Sequence, residues 1–473
     1  MALITMKFGG TSVGSPEAIT NVIGIVGDEV RRGNGVIVVV SAMSGATDLL
    51  LSSVREAATG NRWAYLNTAQ KLRDRHDEVL NLLVPAGQLR ESVKHEISAI
   101  LEQHTELCHA VSILGEATAR ISDTVVSYGE RMSARAVAAA LRAHGIEALP
   151  LDATHLVRTD ANFGSASVRW PETNAAIAAQ VLPLVEKGIV PVITGFIGAT
   201  DDGHITTLGR GGSDYSGAIF AAATDSDELV IWTDVDGVMT TDPRIDRRAR
   251  VLPYVSYQEV GELAFYGAKV LHPKTVQPIV GKGIPLRVRN TFNPSAPGTL
   301  IGPNHEHAET VIKAVTSIRS VSLLTVTGKG MMGVPGIAGR TFLAAAHAGA
   351  NVLMIAQASS EQSFCFVVLD ERTKVVKQAI EAELAEEIDR QDVDAVEVLE
   401  DIAIVTAVGS GMRGTPGVAG RVFTTMGSNG VNVVAIAQGA SECSISFVVS
   451  EHDLKKAVLS LHDLALEAVP VPA

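Results

Sequence analysis

Two kinds of hydrophobic pattern alternate along the N-terminal part of the chain. Largely apolar runs occur at residues 3–8, 35–40, 188–194 and 228–232, the second and third rich in Val and Ile. They read as strands, and those at 35–40 and 188–194 as strands buried on both faces, as in a parallel sheet. Between them, apolar residues recur at helical spacing, as in Ile19, Val22, Ile23 and Val26 after Pro16. Residues 49–120 predict a helical insertion of mixed charge with solvated faces, in which His76, His95, His104 and His109 lack metal-ligand pairing. An alanine-rich helix over 134–141 is expected to pack closely on the sheet. Residues 285–290 alternate Leu286 and Val288 with Arg287 and Arg289, the pattern of a half-exposed strand. The Pro, Ser and Gly of 293–298 mark a boundary.

Beyond that boundary the pattern repeats. GKGMMGVPGIAGRTF from Gly328 aligns with GSGMRGTPGVAGRVF from Gly409, an offset of 81 positions. The same offset pairs Asn351 with Asn432, and Ile355-Ala356-Gln357 with Ile436-Ala437-Gln438. Each copy reads strand, Gly-rich turn, helix starting at a proline, strand, strand, helix, a ferredoxin-like βαββαβ unit. Gly328, Gly330 and Gly333 imitate a dinucleotide fingerprint, as do Gly409, Gly411 and Gly414. The acidic residue expected about twenty positions on is missing, which argues against NAD.

Composition narrows the class. The 473 residues suffice for two to four domains. Hydrophobic content of 46% with only 4% aromatics predicts cores of Ala, Val, Ile and Leu. A net charge of −13 argues against a nucleic-acid partner, and requires local cations to draw in any anionic substrate. Cys108, Cys365 and Cys443 suggest neither a disulfide framework nor a zinc site. With no 18-residue apolar span or leader pattern, a soluble cytoplasmic protein without a membrane partner is expected.

Candidate chemistry gathers where strands end. Lys7, Gly9 and Gly10 join a strand to a helix; such a loop can cradle phosphate, or be a tight turn with a solvated lysine. Ser41, Thr47 and Asp48 follow the second strand, where open α/β sheets bind ligands, although Thr47 and Asp48 could equally cap a helix. Glu130 is either a helix-start carboxylate or a holder of an ammonium group. Arg210, Ser213 and Asp214 sit in TLGRGGSDYS before an alanine-rich helix, offering an anion fork, a hydroxyl and an acid, or a simple cap. Thr233, Asp234, Gly237 and Arg244 follow the fourth strand in TDVDGVMTTDPR, which is not an EF-hand. Lys269 lies in GAKVLHP.

KFGGTSVGS, TLGRGGSDYS, TDVDGVMTTDPR, GAKVLHP and the paired repeat together resemble aspartate kinase over essentially the full length. The resemblance implies an α/β amino-acid-kinase domain, a carbamate-kinase-like three-layer sandwich over 1–300 with its insertion at 49–120. Two ferredoxin-like ACT domains would follow at 319–397 and 398–473. The segment 301–318 would be a linker and a strand lent to the second ACT domain. It implies ATP-dependent phosphorylation of L-aspartate, with Mg2+ arriving on ATP and no direct protein metal site. Lys7 and Asp214 match catalytic positions. Ser41, Thr47, Glu130, Arg210 and Ser213 match the aspartate site. Lys7, Gly9, Gly10, Thr233, Asp234, Gly237, Arg244 and Lys269 match the ATP site. Met239 departs from the tyrosine of many relatives, which bears on adenine or ribose contacts. IAQASSE and IAQGASE look most like the threonine-responsive branch, making Asn351, Gln357, Asn432 and Gln438 candidate effector contacts. A homodimer or larger assembly through the ACT domains is implied, with no dehydrogenase after the second repeat. An amino-acid sensor with an inactive kinase domain would be a different class; the intact Lys7, Arg210 and Asp214 speak against it.

Overall fold

The computed structural model describes residues 2–268, 271–303, 310–332, 334–357 and 362–467. The chain divides into two compact units. The first comprises Met1–Val238, Val251–Tyr257 and Val270–Asn304; the second comprises Met239–Arg250, Gln258–Lys269 and His305–Ala473. This division is finer than a single 1–300 domain, because two short segments from within that range cluster with the C-terminal half.

The strands of the first unit are β1 (Leu3–Phe8), β2 (Gly35–Val40), β3 (Ala148–Leu151), β4 (Val190–Thr194), β5 (Ile197–Ala199), β6 (Ile205–Thr207), β7 (Glu228–Thr233), β8 (Tyr254–Ser256), β9 (Leu286–Asn290) and β10 (Thr299–Gly302). An eight-stranded sheet runs β3-β4-β2-β1-β7-β9-β10-β8, and β5 pairs with β6 apart from it. All neighbours in the large sheet are parallel except β9 and β10. Successive side chains of a strand point to opposite faces, and β2 shows the result. Val36, Val38 and Val40 enter one core, whereas Ile37 and Val39 enter the other. The first core is closed by α1 (Pro16–Arg31), α2 (Ala46–Ala58), α3 (Arg62–Leu83), α4 (Gln88–Leu114) and α5 (Ala119–Ala143). The second is closed by α6 (Trp170–Gln180), α7 (Leu182–Glu186) and α8 (Gly212–Ala223). The unit is thus a three-layer α/β sandwich.

Several local expectations change. Glu130 does not start a helix; Thr118 caps α5 by accepting the Ile121 N–H, and Glu130 lies well inside it. The preceding Gly129 is a packing residue, since a Cβ there would come within 2.8 Å of the Ala42 side chain. The insertion is less solvated than its charge pattern suggests. His76 and His104 are buried in its helices, which holds both well below the usual imidazole range, at about 4. Residues 293–298 are a turn joining antiparallel β9 and β10, inside the first unit rather than at its limit.

The second unit contains helices α9 (Tyr257–Phe265, from Gln258 on), α11 (Ile337–His347), α12 (Asp370–Glu383), α13 (Ala385–Asp389), α14 (Val418–Ser428) and α15 (Leu454–Leu466); α10 (Pro273–Val280) belongs to the first. Its strands are β11 (Ala314–Thr327), β12 (Met354–Gln357), β13 (Ser363–Leu369), β14 (Ala395–Val408), β15 (Ala435–Gln438) and β16 (Ser444–Ser450). They form one antiparallel sheet, β12-β13-β11-β14-β16-β15. The 14-residue strands β11 and β14 pair along their lengths and are shared by the repeats. Val315 at the start of β11 joins the core under α14 and α15, while Leu324 and Val326 near its end join the core under α11 and α12. The repeat helices begin after Gly336 and Gly417, each with positive φ, and not at the prolines before them.

Candidate active site

Four strand exits of the first unit converge on a cleft of about 760 Å³. Its lining includes Lys7, Gly10, Ser41, Thr47, Asp48, Glu130, Arg210, Ser213 and Asp214, so nine of the residues singled out in the sequence share one cavity. The cleft lies at the carboxyl ends of β1, β2 and β4, where such sheets bind ligands.

Backbone geometry fixes the first wall. Gly9 N–H donates to the Trp232 carbonyl at 3.0 Å, and Ser44 N–H donates to the Gly10 carbonyl at 3.0 Å. A Cβ on Gly10 would lie 2.9 Å from the Ala42 carbonyl oxygen, so only glycine lets these loops meet. Arg75, from the helical insertion, donates to the Ser44 carbonyl at 2.9 Å and lies 3.4 Å from that of Gly14. It ties both loops together, a role its place in a charged helix did not signal. Helix α2 has Gly45 at its cap with no side-chain hydrogen bond, so Thr47 and Asp48 are not spent on capping and face the cleft.

Lys7 is 7% exposed. Its stem lies against Gly217 of α8, where a Cβ would be 3.0 Å away, and its ammonium pairs with Asp214 in the first turn of that helix. Gly211 caps α8 without side-chain help, which leaves Ser213 and Asp214 to the cleft. Arg210 lines the cleft, and its guanidinium has no ion-pair partner among the described residues. Glu130 is 2% exposed, and its Oε2 has no hydrogen-bond partner among the described residues. Burial pushes its carboxyl up from 4.5 to about 8, against the opposing pull of backbone hydrogen bonding at Ala42.

Other predicted positions fall elsewhere. Thr233 and Asp234 stand at the end of β7, beside β1, with the Thr233 hydroxyl 3.2 Å from Asp234. Gly237 has positive φ, and a Cβ on it would lie 2.4 Å from the Thr299 hydroxyl, so packing alone requires glycine there. Arg244 lies in the second unit, exposed and forked onto Asp242 at 2.6 and 3.0 Å. Lys269 lies outside the described residues. In the second unit, Gln357 lines a cavity of about 370 Å³ with Met331, Pro335, Ile337 and Phe364. Asn351, Asn432 and Gln438 are exposed and are not among its lining residues.

The cleft also contains residues that the sequence reading passed over: Arg55, Asp123, Phe196 and Thr207. Phe196 adopts a left-handed backbone (φ 69°), unusual for a bulky residue. Its N–H donates to Ser216 Oγ at 2.9 Å, and its ring covers Gly212, where a Cβ would be 2.6 Å away. No local pattern marks such a residue; the Gly195 and Gly198 around it are the only hint.

Comparison with known proteins places this geometry. The profile of the Amino acid kinase family matches residues 2–290, and that of the ACT domain matches 324–384 and 405–464. The chain is 35% identical over 471 residues to the bifunctional aspartokinase/homoserine dehydrogenase 1, chloroplastic, of Arabidopsis thaliana, covering 96% of this chain and 50% of that protein. It thus spans about half the length of the bifunctional relatives. It is 32% identical over 478 residues to aspartokinase 1, chloroplastic, of the same plant, covering 98% and 80%. Among solved structures, E. coli aspartokinase III in complex with aspartate and ADP superposes with a TM-score of 0.83 at 30% identity, covering 98% and 100% of the two chains. The aspartate kinase of Clostridium acetobutylicum gives 0.78 at 25% identity, covering 98% and 99%. No helix among the described residues is long and apolar enough to cross a membrane. With the lysine-bearing cleft in one unit and the repeat in the other, the chain belongs to the amino acid kinase family, among the aspartokinases that carry ACT domains.

Proposed function

We propose that the chain is an aspartate kinase. It would transfer the γ-phosphoryl group of ATP to the side-chain carboxylate of L-aspartate, giving ADP and 4-phospho-L-aspartate, the first step towards lysine, threonine, methionine and isoleucine. One observation carries this reading. A guanidinium (Arg210) without an ion pair and a buried carboxyl (Glu130) with an unpartnered oxygen, both among the described residues, share a cleft with a buried lysine. The first two complement the α-carboxylate and ammonium of an amino acid, and the third suits a phosphoryl group.

The acceptor carboxylate of aspartate is ionised near neutrality, so the reaction needs no general base. Catalysis is then positioning and charge stabilisation. Arg210 grips the α-carboxylate, Glu130 and Thr47 hold the amino end, and Ser41 and Ser213 supply further hydrogen bonds. Lys7 neutralises charge on the transferring phosphoryl group, and Asp214 orients Lys7. Gly9 and Gly10 border the phosphates. Thr233, Asp234 and Gly237 are the nucleotide-side positions on the first unit, with Arg244 and Lys269 assigned there by resemblance alone. Mg2+ would come on the nucleotide, held mainly by phosphate oxygens. Asp214 fits an outer contact to it, and no group of three metal-ligating side chains occurs among the described residues.

The pH dependence follows from Glu130. Its folded pKa is raised, so the free protein binds an extra proton there between about 4.5 and 8, and this contribution to stability is lost as pH rises through that window. An ammonium ligand needs the ionised form. Aspartate KM is therefore expected to fall as pH rises from 6 to 8, by up to tenfold per unit. In Glu130→Gln it should be high and nearly flat. An unchanged slope in that variant removes Glu130 from the ammonium site.

The regulatory part is read as the site of an amino-acid effector, threonine before lysine. Gln357 in its cavity is the strongest contact position, with Gln438, Asn351 and Asn432 its weaker candidates. The exposed edge strands β12 and β15, with Ile355 and Ile436 outward, suit pairing with a second copy. The deciding experiment measures ADP release with L-aspartate, alone and with threonine or lysine. No aspartate-dependent release overturns the assignment. Full threonine inhibition surviving in Gln357→Ala/Gln438→Ala overturns the effector site.

A further inference from the structure

Asp123 is a buried carboxylate with no assigned part in the reaction. It projects from α5, two turns before Glu130, and is 4% exposed. It makes no ion pair among the described residues. Its three partners are neutral donors from two other segments. Oδ2 accepts the Gly164 N–H at 2.8 Å and the Thr207 N–H at 2.9 Å, and Oδ1 accepts the Thr207 hydroxyl at 2.8 Å. A buried, unpaired carboxylate is costly unless its oxygens are satisfied, so the donors are held tightly where it wants them.

What it holds is the wall of the cleft beside Arg210. Gly164, Thr207 and Asp123 all line that cavity. The 160–168 loop closes on itself, with Asp160 accepting the Ser167 N–H at 3.0 Å, and it joins the end of β6 through Ala166 N–H to the Thr207 carbonyl at 2.9 Å. The loop then abuts the turn carrying Arg210. Gly209 has φ 78°, and a Cβ on it would lie 3.1 Å from Ser165 Oγ and 3.3 Å from the Gly164 carbonyl. One carboxylate thereby fixes both the strand that leads into the Gly209–Arg210 turn and the loop that supports that turn from the side.

We infer that Asp123 is a positioning residue for the acceptor side of the reaction, setting through Gly164 and Thr207 the place from which Arg210 grips the α-carboxylate. The inference rests on the aspartate kinase reading. Asp123→Asn is the informative change, because it is nearly isosteric but removes the charge: its single oxygen can still accept the Gly164 and Thr207 N–H groups, whereas its nitrogen cannot accept the Thr207 hydroxyl, which must turn round to accept instead.

In steady-state kinetics, Asp123→Asn is expected to raise aspartate KM by about tenfold and leave ATP KM within about twofold, since exchanging hydrogen bonds to a charged acceptor for bonds to a neutral one is worth about that factor. A purely structural role would lower the active fraction, and so kcat, with aspartate KM unchanged. A double-mutant cycle adds a second readout. With Arg210 removed there is nothing left to position, so Asp123→Asn/Arg210→Ala should have the aspartate KM of Arg210→Ala alone. Should Asp123→Asn not fold, Thr207→Val removes one of the three hydrogen bonds and should raise aspartate KM severalfold in the same selective way. A wild type that turns over no L-aspartate overturns the reading of the cleft, and this inference with it. An active wild type whose variants keep their aspartate KM, or whose cycle is additive, overturns the role of Asp123 alone.

Discussion

Lys7→Ala is expected to lower kcat by about 10²–10³-fold while changing the KM values for ATP and aspartate only a few-fold, the signature of a group that acts on charge developing in the transition state. The structure gives Lys7 no freedom to serve as a general surface cation. It is 7% exposed, its stem is pressed against Gly217, and its ammonium meets Asp214. Removing it also strands Asp214, and breaking a largely buried pair from one side costs about 3 kcal/mol or more. Thermal unfolding of Lys7→Ala and of Lys7→Ala/Asp214→Asn separates the two effects. The double variant should regain most of the stability and none of the turnover. Recovery of kcat in the double variant, or a change confined to KM, would remove Lys7 from the point of phosphoryl transfer.

Arg210→Ala should raise aspartate KM by roughly 100-fold, matching about 3 kcal/mol for a lost bidentate, charge-assisted contact, with ATP KM little altered. The effect is large because the net charge of −13 repels an anionic substrate, and Arg210 is a guanidinium in the cleft with no carboxylate partner among the described residues. Arg210→Lys should recover only part of the affinity, since a lysine cannot reproduce the planar fork. Isothermal titration with L-aspartate checks the binding directly, and unchanged affinity in Arg210→Ala would rule out the grip.

Arg210 and Arg244 show where sequence reasoning stops. Both follow Gly- or Asp-rich strand exits, and both looked like anion ligands. The fold leaves Arg210 in the cleft without an ion pair among the described residues, whereas Asp242, two residues from Arg244, occupies the Arg244 guanidinium. Glu130 is a similar case. The sequence leaves it as a helix-start carboxylate or a holder of an ammonium group, but Gly129 lets α5 approach Ala42, and the helix runs straight through. Phe196 and Asp123 were barely legible, because each owes its position to partners well away in the chain, 20 and 84 residues on.

The sequence by itself determined the alternation of buried strands and helices, the loops that end in Lys7 and Asp214, the internal repeat and the family. These follow from local periodicity and from motifs whose residues act within a few positions of one another. Only the tertiary structure decided that Arg210 has no ion pair among the described residues, how deeply Glu130 is buried, that β14 as well as β11 serves both repeats, and that Asp123 braces the wall beside Arg210. Those properties depend on burial and on pairing between distant segments, and the energy of a buried charge is set by what surrounds it in space rather than by what adjoins it in the chain.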